Sequence, residues 1–257
     1  MGARVEMIGA VGDDLFGGEL VGLLADAGVG TSRVGRLSGT PTGVAAITRV
    51  DGDNRIILGA GANHALKAPD VLAALDALGA ASGDIFLAQL EADNDAVFAA
   101  LAEARARSLY TALNPAPARA LPDDLWENVD FCCLNETECE VITGILPVDA
   151  ATERTALETL AARGPRTVAI TLGGRGSRVL ADGHLLTAVP PAHEVADTTC
   201  AGDTYIGAFV AALAAGSSPA DALALATAAS DLATTKLGAQ QSIPTLAEAR
   251  ALLDREG

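Results

Sequence analysis

The sequence is poor in aromatic residues and in positive charge. Aromatic side chains make up 3% of the 257 residues, and only one of them is a tryptophan. Asp and Glu number 33 against 17 Lys and Arg, which gives a formal net charge of −16 at pH 7. Such an acidic chain repels phosphate backbones and anionic headgroups, so we expect neither nucleic acid nor a membrane surface as a partner. A small anion such as ATP is not excluded, because local backbone dipoles and a metal ion suffice to bind it.

Long apolar segments and paired cysteines are also missing. The longest apolar run, residues 206–215, is far too short to span a bilayer. No basic segment precedes an apolar stretch at the N-terminus, so no signal peptide is predicted and a cytoplasmic protein is expected. The cysteines Cys132, Cys133, Cys139 and Cys200 form no CxxC pair, and no histidine completes a zinc site. We expect the first three to be buried thiols in a reducing compartment.

The order of apolar segments predicts an α/β fold. Short apolar runs typical of buried strands lie at residues 5–11, 84–88, 108–113, 130–134 and 167–171. Segments with helical spacing separate several of them, and the C-terminal part after residue 200 is mostly helical in its pattern. This alternation predicts βαβ units and a mostly parallel sheet with helices on both faces. The length is that of one domain over residues 1–257.

Residues 33–58 interrupt this alternation, because their strands follow one another without a helix. Gly52-Asp53-Asn54 is typical of a hairpin turn. We therefore place a β-hairpin flap, called the lid below, within about residues 33–58 at the edge of the sheet. A second hairpin is predicted over residues 177–189, with its turn at Asp182-Gly183.

The segment DTTCAGDT at residues 197–204 carries the strongest chemical signal. Small residues and a glycine lie there where a loop turns into an apolar helix. Free backbone N–H groups and the helix dipole make such a start an anion site. Asp203 in the first turn is either a simple cap or a general base beside that site, and local physics leaves both interpretations open. In the second interpretation the amides around Ala201 and Gly202 hold the transferred charge.

Extended to DTTCAGDTYIGA over residues 197–208, this segment resembles the second signature of the ribokinase-type (PfkB) carbohydrate kinases. Other segments resemble the same family in the same order: GAVGDDLFG at 9–17, GAN at 61–63, QLE at 89–91, LNPAPAR at 113–119, NETE at 135–138, TLGGRG at 171–176 and GAQQS at 238–242. The likeness covers nearly the whole chain. It implies a three-layer α/β/α fold with a mostly parallel central sheet and a partial β-hairpin lid.

The resemblance implies transfer of the γ-phosphoryl group of ATP to a sugar hydroxyl. Asp203 would be the general base and would contact the sugar together with Glu91. The backbone N–H groups of Cys200, Ala201 and Gly202 would form an anion hole for the phosphoryl charge. The positions implied at the ATP site are Asn135, Thr171, Gly173, Gly174, Gly176, Gly202 and Thr227.

The family also implies two kinds of cation. Glu138, with Asn135, would hold Mg²⁺ through water, which suits an ion that keeps most of its hydration shell. A monovalent cation such as K⁺ would lie behind the anion hole and activate without touching the substrate. Its implied ligands are Asp197 and Ser242 with the carbonyl oxygens of Thr199, Ala233, Lys236 and Gly238.

Alternatives stay open for the site and for the substrate. Glu91 also fits an exposed strand-end carboxylate, Asn135 and Glu138 fit a helix cap, and residues 173–176 fit a plain hairpin turn. D-ribose, phosphorylated at its 5-hydroxyl, is the expected substrate, and another sugar or a nucleoside is the alternative. A truncated, inactive remnant that binds nucleotide or a partner is the second alternative.

Two features depart from the family pattern. Before Gly2 the family has a central strand, part of the lid and a helix, with an Asn-x-Asp and a Gly-Gly-Lys-Gly-x-Asn sugar contact. A longer native protein and a short remnant both account for this difference.

The resemblance also implies a homodimer through the lid. Cys200 stands where the family often has Gly or Ala, and its place near a helix N-terminus predicts a lowered thiol pKa.

Overall fold

A computed structural model describes residues 1–50, 53–191 and 194–256, so Gly52 of the predicted hairpin turn lies outside it. The strands are β1 (Glu6–Gly12), β2 (Gly30–Leu37), β3 (Val44–Val50), β4 (Asp53–Gly59), β5 (Ile85–Ala88), β6 (Tyr110–Leu113), β7 (Phe131–Asn135), β8 (Thr167–Thr171), β9 (Ser177–Ala181) and β10 (His184–Ala188). The helices are α1 (Leu15–Asp26), α2 (Ala68–Leu78), α3 (Asn94–Ala106), α4 (Glu136–Thr143), α5 (Ala150–Ala161), α6 (Ala201–Ala214), α7 (Pro219–Thr234) and α8 (Leu246–Glu256).

The chain divides into two compact units, which are described in turn. The larger comprises Met1–Ala3, Ala81–Ala88 and Ala104–Gly257, and the smaller comprises Arg4–Ala80 and Gln89–Glu103. The single domain expected over residues 1–257 stays a prediction. Within the described ranges, no helix combines the length and the apolar character that crossing a membrane requires.

The larger unit contains a six-stranded sheet in the order β10-β9-β8-β7-β6-β5. Strands β5 to β8 pair in parallel, and β9 and β10 form the antiparallel edge. This confirms the predicted mostly parallel central sheet. The predicted hairpin of residues 177–189 is also confirmed, as β9 and β10.

Helices cover both faces of this sheet, because successive side chains of a strand point to opposite sides. On one face Phe131 and Cys133 of β7 pack in a cluster with α6, α7 and α8. The ring centroids of Phe131 and Phe209 lie 4.6 Å apart in a stacked arrangement. The intervening residues Cys132 and Leu134 are also buried, and α5 contacts the neighbouring strands β8 and β9.

The smaller unit corrects the predicted extent of the lid. Strand β2, Gly30–Leu37, pairs in parallel with β1 and not with the hairpin. Helix α1 connects these two strands, so β1, α1 and β2 form a βαβ unit. Among the described residues of this unit, the antiparallel hairpin consists of β3 paired with β4, Val44–Val50 with Asp53–Gly59. The hairpin thus lies within the predicted range of about residues 33–58, and residues 33–37 of that range belong to β2 instead.

Asp14 joins the start of α1 to the segment that leads into the lid. Its carboxylate accepts hydrogen bonds from the N–H groups of Gly17 and Thr42, both at 2.8 Å. The Thr42 hydroxyl donates a third. The hydroxyl of Thr42, followed by the two backbone donors, lowers the pKa of Asp14. This cap therefore ties residue 42 to the N-terminus of α1.

Phe209 provides a test of the core. We expect Phe209→Ala to lower the free energy of unfolding by about 3–5 kcal/mol, because a fully buried ring is replaced by a cavity. Urea denaturation can be followed by the fluorescence of Trp126, the single tryptophan, which is completely buried in the same unit. Val148→Ala, at an exposed position, is the matched control and should change stability by less than about 0.5 kcal/mol. An equally small effect at Phe209 would contradict this assignment of the core.

Candidate active site

Helix α6 begins at a residue with an unusual backbone conformation. Its N-cap, Cys200, has φ 61° and ψ 7°, which is the left-handed region. This region favours glycine, and a side chain there costs roughly 1–2 kcal/mol. Directly after the sharp turn at Cys200, residues Ala201 to Asp203 form the first turn of the helix. The sequence carried no signal for this conformation beyond the Gly or Ala that the kinases it resembles often have at this position.

Two of the three predicted anion-hole amides are available. The N–H of Ala201 donates to the carbonyl oxygen of Thr198 at 3.2 Å and so closes the turn. The N–H groups of Cys200 and Gly202 donate to no atom of the described residues. Unpaired amides at a helix N-terminus, together with the helix dipole, form an anion site. The geometry therefore suits an anion at Cys200 and Gly202, with the amide of Ala201 shared with the turn.

Asp203 lies on the exposed surface of the first turn of α6, and its negative charge acts on two neighbours. Burial raises the pKa of the Cys200 thiol to about 11, and the charge of Asp203 and a hydrogen bond to it add to this. Burial also raises the pKa of Glu138, and Asp203 contributes to that increase as well. Asp203 is thus the common neighbour of Cys200 and Glu138.

The prediction that Cys200 has a lowered pKa was wrong. Partial burial disfavours the thiolate, and the nearby carboxylates of Asp203 and Asp197 disfavour it further. The prediction from the sequence considered only the helix dipole, which lowers a thiol pKa, and did not include burial or the two carboxylates. The other three cysteines are buried, as predicted.

Asn135 and Glu138 form a reciprocal cap at the start of α4. The N–H of Glu138 donates to Asn135 Oδ1 and the N–H of Asn135 donates to Glu138 Oε2, each at 2.9 Å. Hydrogen bonds from Asn135 and Asn114 lower the pKa of Glu138, but burial and Asp203 raise it more. A carboxylate held close to another carboxylate is a favourable place for a cation. The helix-cap interpretation is therefore correct, and it does not exclude the metal-binding one.

Asn114 is a site residue whose role the sequence did not reveal. It follows β6 directly, is buried, and donates from Nδ2 to the carbonyl oxygen of Cys133 at 2.9 Å. Its hydrogen bond to Glu138 links the carboxyl ends of β6 and β7. A buried asparagine at the end of a parallel strand was the available signal, since ligands bind at this edge in α/β sheets.

The glycine-rich turn after β8 has the predicted position and favours glycine at residues 173 and 176, where φ is positive. Thr171 lies opposite Asn135 in the pairing of β8 with β7, so the two polar residues meet at the same sheet edge. Gly176 has φ 80°, and a Cβ there would come within 2.0 Å of the Ala188 carbonyl oxygen. Gly173, with φ 54°, and Gly174 are exposed. This turn connects β8 to β9, so the hairpin-turn interpretation is met as well.

Thr227 is buried on α7 and belongs to a chain of hydroxyl groups. Its Oγ1 lies 3.2 Å from the Oγ of Ser177, the residue after the glycine-rich turn. The hydroxyl of Tyr205, two residues after Asp203, donates to the same Oγ at 3.1 Å. These contacts join α6, α7 and the start of β9 beside the predicted nucleotide positions.

Asp197 organises the predicted monovalent-cation site. Its Oδ1 accepts the N–H and the hydroxyl of Thr199 at 3.0 and 2.7 Å, and its Oδ2 accepts the N–H of Gly238 at 3.2 Å. Asp197 and Ser242 are buried. The structure thus brings together Asp197 and Thr199, which precede α6, and Gly238, which follows α7.

The remaining predicted ligands of that cation lie near the end of α7. Ala233 is buried, and its carbonyl oxygen is 3.5 Å from the N–H of Lys236. The Lys236 ammonium faces Glu248 at 3.5 Å, so Lys236 would contribute its carbonyl oxygen. Ser242 donates its hydroxyl to the carbonyl oxygen of Ala239 at 2.7 Å.

Glu91 lies in the smaller unit, in the bend between β5 and α3. Its side chain is exposed. Both interpretations, a strand-end carboxylate and a sugar contact, remain open for it.

Comparisons with known proteins agree on one family. The family model described as pfkB family carbohydrate kinase matches residues 1–246. A ribokinase of Staphylococcus aureus is 35% identical over 199 residues, covering 77% of this chain and 65% of that protein. A ribokinase of Haemophilus influenzae is 34% identical over 202 residues, covering 79% and 65%. The chain therefore spans slightly less than two thirds of the length of these two relatives.

The fold also matches solved structures. The ribokinase of Arabidopsis thaliana, complexed with ribose and ATP, superposes with a TM-score of 0.87 at 28% identity. That match covers 97% of this chain and 82% of the other. It confirms the predicted three-layer α/β/α fold.

The raised pKa of Cys200 predicts slow alkylation that depends on Asp203. At pH 8 a thiol of pKa about 11 is ionised to roughly one part in a thousand. We expect Asp203→Asn to speed labelling by iodoacetamide severalfold, because removing the negative charge lowers the pKa of the thiol. Peptide mass spectrometry over time measures labelling at Cys200, and Asp254→Asn, at an exposed site on α8, is the control. Equal rates in all three proteins would contradict the coupling.

Proposed function

The chain belongs to the pfkB family of carbohydrate kinases, and from this premise we propose that it phosphorylates D-ribose at its 5-hydroxyl with ATP. The observation that carries the proposal is the N-terminus of α6. There the unpaired amides of Cys200 and Gly202 lie beside the first-turn carboxylate of Asp203. An anion site next to a base is the arrangement that phosphoryl transfer to a hydroxyl requires.

In this proposal Asp203 accepts the proton of the sugar hydroxyl. The hydroxyl oxygen then bonds to the γ-phosphorus as the bond to the leaving ADP oxygen breaks. The amides of Cys200, Ala201 and Gly202 hold the charge on the transferred group. Such transfer needs little covalent chemistry from the protein, so positioning and charge stabilisation supply the rate.

The nucleotide would lie along the carboxyl ends of β7 and β8. Thr171, Gly173, Gly174 and Gly176 line one side of that path, Asn135 and Gly202 lie at helix starts, and Thr227 would be near the adenine. The sugar would be held by Asp203 and Glu91. D-ribose is preferred because the relatives are ribokinases and one of the solved structures contains ribose with ATP.

Two cations belong to the proposal. The residues at the start of α4 fit Mg²⁺, because Glu138 is a partly buried carboxylate with a raised pKa close to a second carboxylate. Glu138 and Asn135 would hold this ion through water, and it would neutralise phosphate charge. Asp197 and Ser242, with the carbonyls of residues 199, 233, 236 and 238, would hold K⁺. A homodimer through the lid and a cytoplasmic location complete the proposal.

A kinase for another sugar or for a nucleoside is the second candidate. The family description supports it as well as it supports ribose. A panel of acceptors with an ADP-release readout distinguishes the two. A protein that binds ADP but phosphorylates no acceptor would instead favour the inactive nucleotide-binding remnant.

Asp203→Asn tests the proposed base. We expect ribose-dependent ADP release, measured with Mg²⁺, to fall by about 10²–10⁴ in kcat, because the amide accepts no proton. Affinity for ADP should stay within about threefold, since the backbone amides are unchanged. Activity of the unaltered protein should rise when K⁺ replaces an organic cation.

Asp254→Asn is the control for this variant and should retain full activity. Unchanged turnover in Asp203→Asn would contradict the assignment of Asp203 as the base. Activity that does not respond to K⁺ would contradict the assignment of the monovalent-cation site but not the assignment of Asp203 as the base.

Glu138→Gln tests the divalent-cation site. Glutamine can still accept the N–H of Asn135, so the helix cap survives while the charge is lost. We expect the Mg²⁺ concentration for half-maximal activity to rise about tenfold or more. In the unaltered protein this concentration should also rise as pH falls toward the raised pKa of Glu138, because protonation competes with the cation. The pH dependence should be weaker in Glu138→Gln, and an identical pH dependence in both proteins would contradict the role of Glu138.

A further inference from the structure

Arg175 lies near the end of the nucleotide loop, defined here as residues 171–176, and its half-buried guanidinium is paired with groups outside that loop. One terminal nitrogen donates to Glu136 Oε1 and to the carbonyl oxygen of Pro147, and the other donates to Glu153 Oε1. The Glu153 side chain is only 5% exposed. Arg175 is therefore neutralised by two carboxylates, one of them buried.

Arg178 holds the same loop from its other end. Its Nε lies 2.8 Å from Glu153 Oε2. Its Nη1 donates to the carbonyl oxygens of Arg175 and Ser177, at 3.2 and 3.1 Å. The two oxygens of Glu153 are thus divided between two arginines on either side of Gly176.

The two glycines at the tip of the loop, Gly173 and Gly174, have little packing of their own. A Cβ on Gly173 or Gly174 would meet no non-neighbouring heavy atom of the described chain within 4 Å. Glycine also leaves the backbone with more freedom than any other residue. Backbone hydrogen bonds between Leu172 and Gly176, at 2.8 Å, and between Gly176 and Gly173, at 2.9 Å, close the turn. The arginine–carboxylate contacts add the fixed, directional geometry that ties this turn to its neighbours.

The carboxylate partners of Arg175 lie on helices α4 and α5, and α4 begins beside other predicted site residues. Glu136 is the first residue of α4 and lies between Asn135 and Glu138. Glu153 is in the first turn of α5. Arg175 therefore connects the nucleotide loop to the start of α4, where the reciprocal cap lies.

We propose that Arg175, paired with the buried Glu153 and with Glu136, is a positioning residue that holds the nucleotide loop in its binding conformation. It acts through Gly173 and Gly174 and not as a phosphate ligand, because its charge is already matched by carboxylates. The inference rests on the proposed function, since it requires that the loop binds ATP.

Arg175→Ala is the first test. We expect the Kd for ADP, measured by calorimetry without sugar, and the KM for ATP to rise about tenfold, while kcat and the KM for ribose stay within about threefold. Arg166→Ala is the matched control, because Arg166 forms an exposed ion pair with Asp182 at the opposite end of β8. It should leave all four constants unchanged. ADP binding by Arg175→Ala as tight as in the unaltered protein would overturn the inference.

Two milder variants keep the test independent of folding. Glu136→Gln leaves the buried Glu153 with both arginines, and we expect a rise in the ADP Kd that is smaller than that of Arg175→Ala. Arg175→Lys keeps the charge but loses the fork of donors. A direct phosphate contact would be restored by lysine, so full recovery of ADP binding in Arg175→Lys would overturn the positioning role.

The same measurements separate this inference from the function on which it rests. If ADP binding depends on Arg175 but no acceptor is phosphorylated, the kinase proposal fails and the positioning role stands. If the unaltered protein binds no ADP, both are overturned. If ribose is phosphorylated and Arg175→Ala has normal nucleotide constants, only the positioning role is lost.

Discussion

The buried carboxylate of Asp197 is the contact on which the geometry of the site depends. A buried charge is tolerated only where hydrogen bonds replace its water. Asp197 obtains them from Thr199 on one side of α6 and from Gly238 beyond α7. These hydrogen bonds fix the segment that leads into the sharp turn at Cys200, where the N–H groups of Cys200 and Gly202 donate to no atom of the described residues. Helices α6 and α7 pack extensively against each other, so the turn is supported by the core beneath it.

Electrostatics set a second constraint, because the chain is acidic and its proposed substrate, ATP, is an anion. The site itself adds negative charge, and the raised pKa of Glu138 reflects both its burial and its proximity to Asp203. Only dipoles and cations can reverse this local field. The amides of Cys200 and Gly202 supply the dipoles. Arg175 of the nucleotide loop cannot supply the positive charge, because Glu136 and Glu153 already neutralise it. The divalent cation proposed near Glu138 would supply positive charge at the sheet edge.

Local patterns predicted most strands and helices, but partners distant in the sequence were not visible. Strand β8 has the predicted bounds, Thr167–Thr171, because an apolar run in the centre of a parallel sheet has few alternatives. Strand β2 was assigned to the lid, since its mixed, partly exposed residues resemble a hairpin edge and its parallel partner lies before α1. The contacts of Arg175 were missed for the same reason. Glu153 and Glu136 are 22 and 39 residues away, and nothing in TLGGRG indicates that the arginine pairs with them.

Cys200 shows how one residue can meet two opposing demands at a helix start. Glycine would relieve the left-handed conformation, whose cost is roughly 1–2 kcal/mol for a residue with a Cβ. A glycine, however, would offer Asp203 no side-chain partner. The thiol is hydrogen-bonded to that carboxylate and is held neutral by burial and by the charge that it faces. Because a neutral thiol adds no negative charge beside the unpaired amides, the position can carry a side chain and still leave the anion site intact.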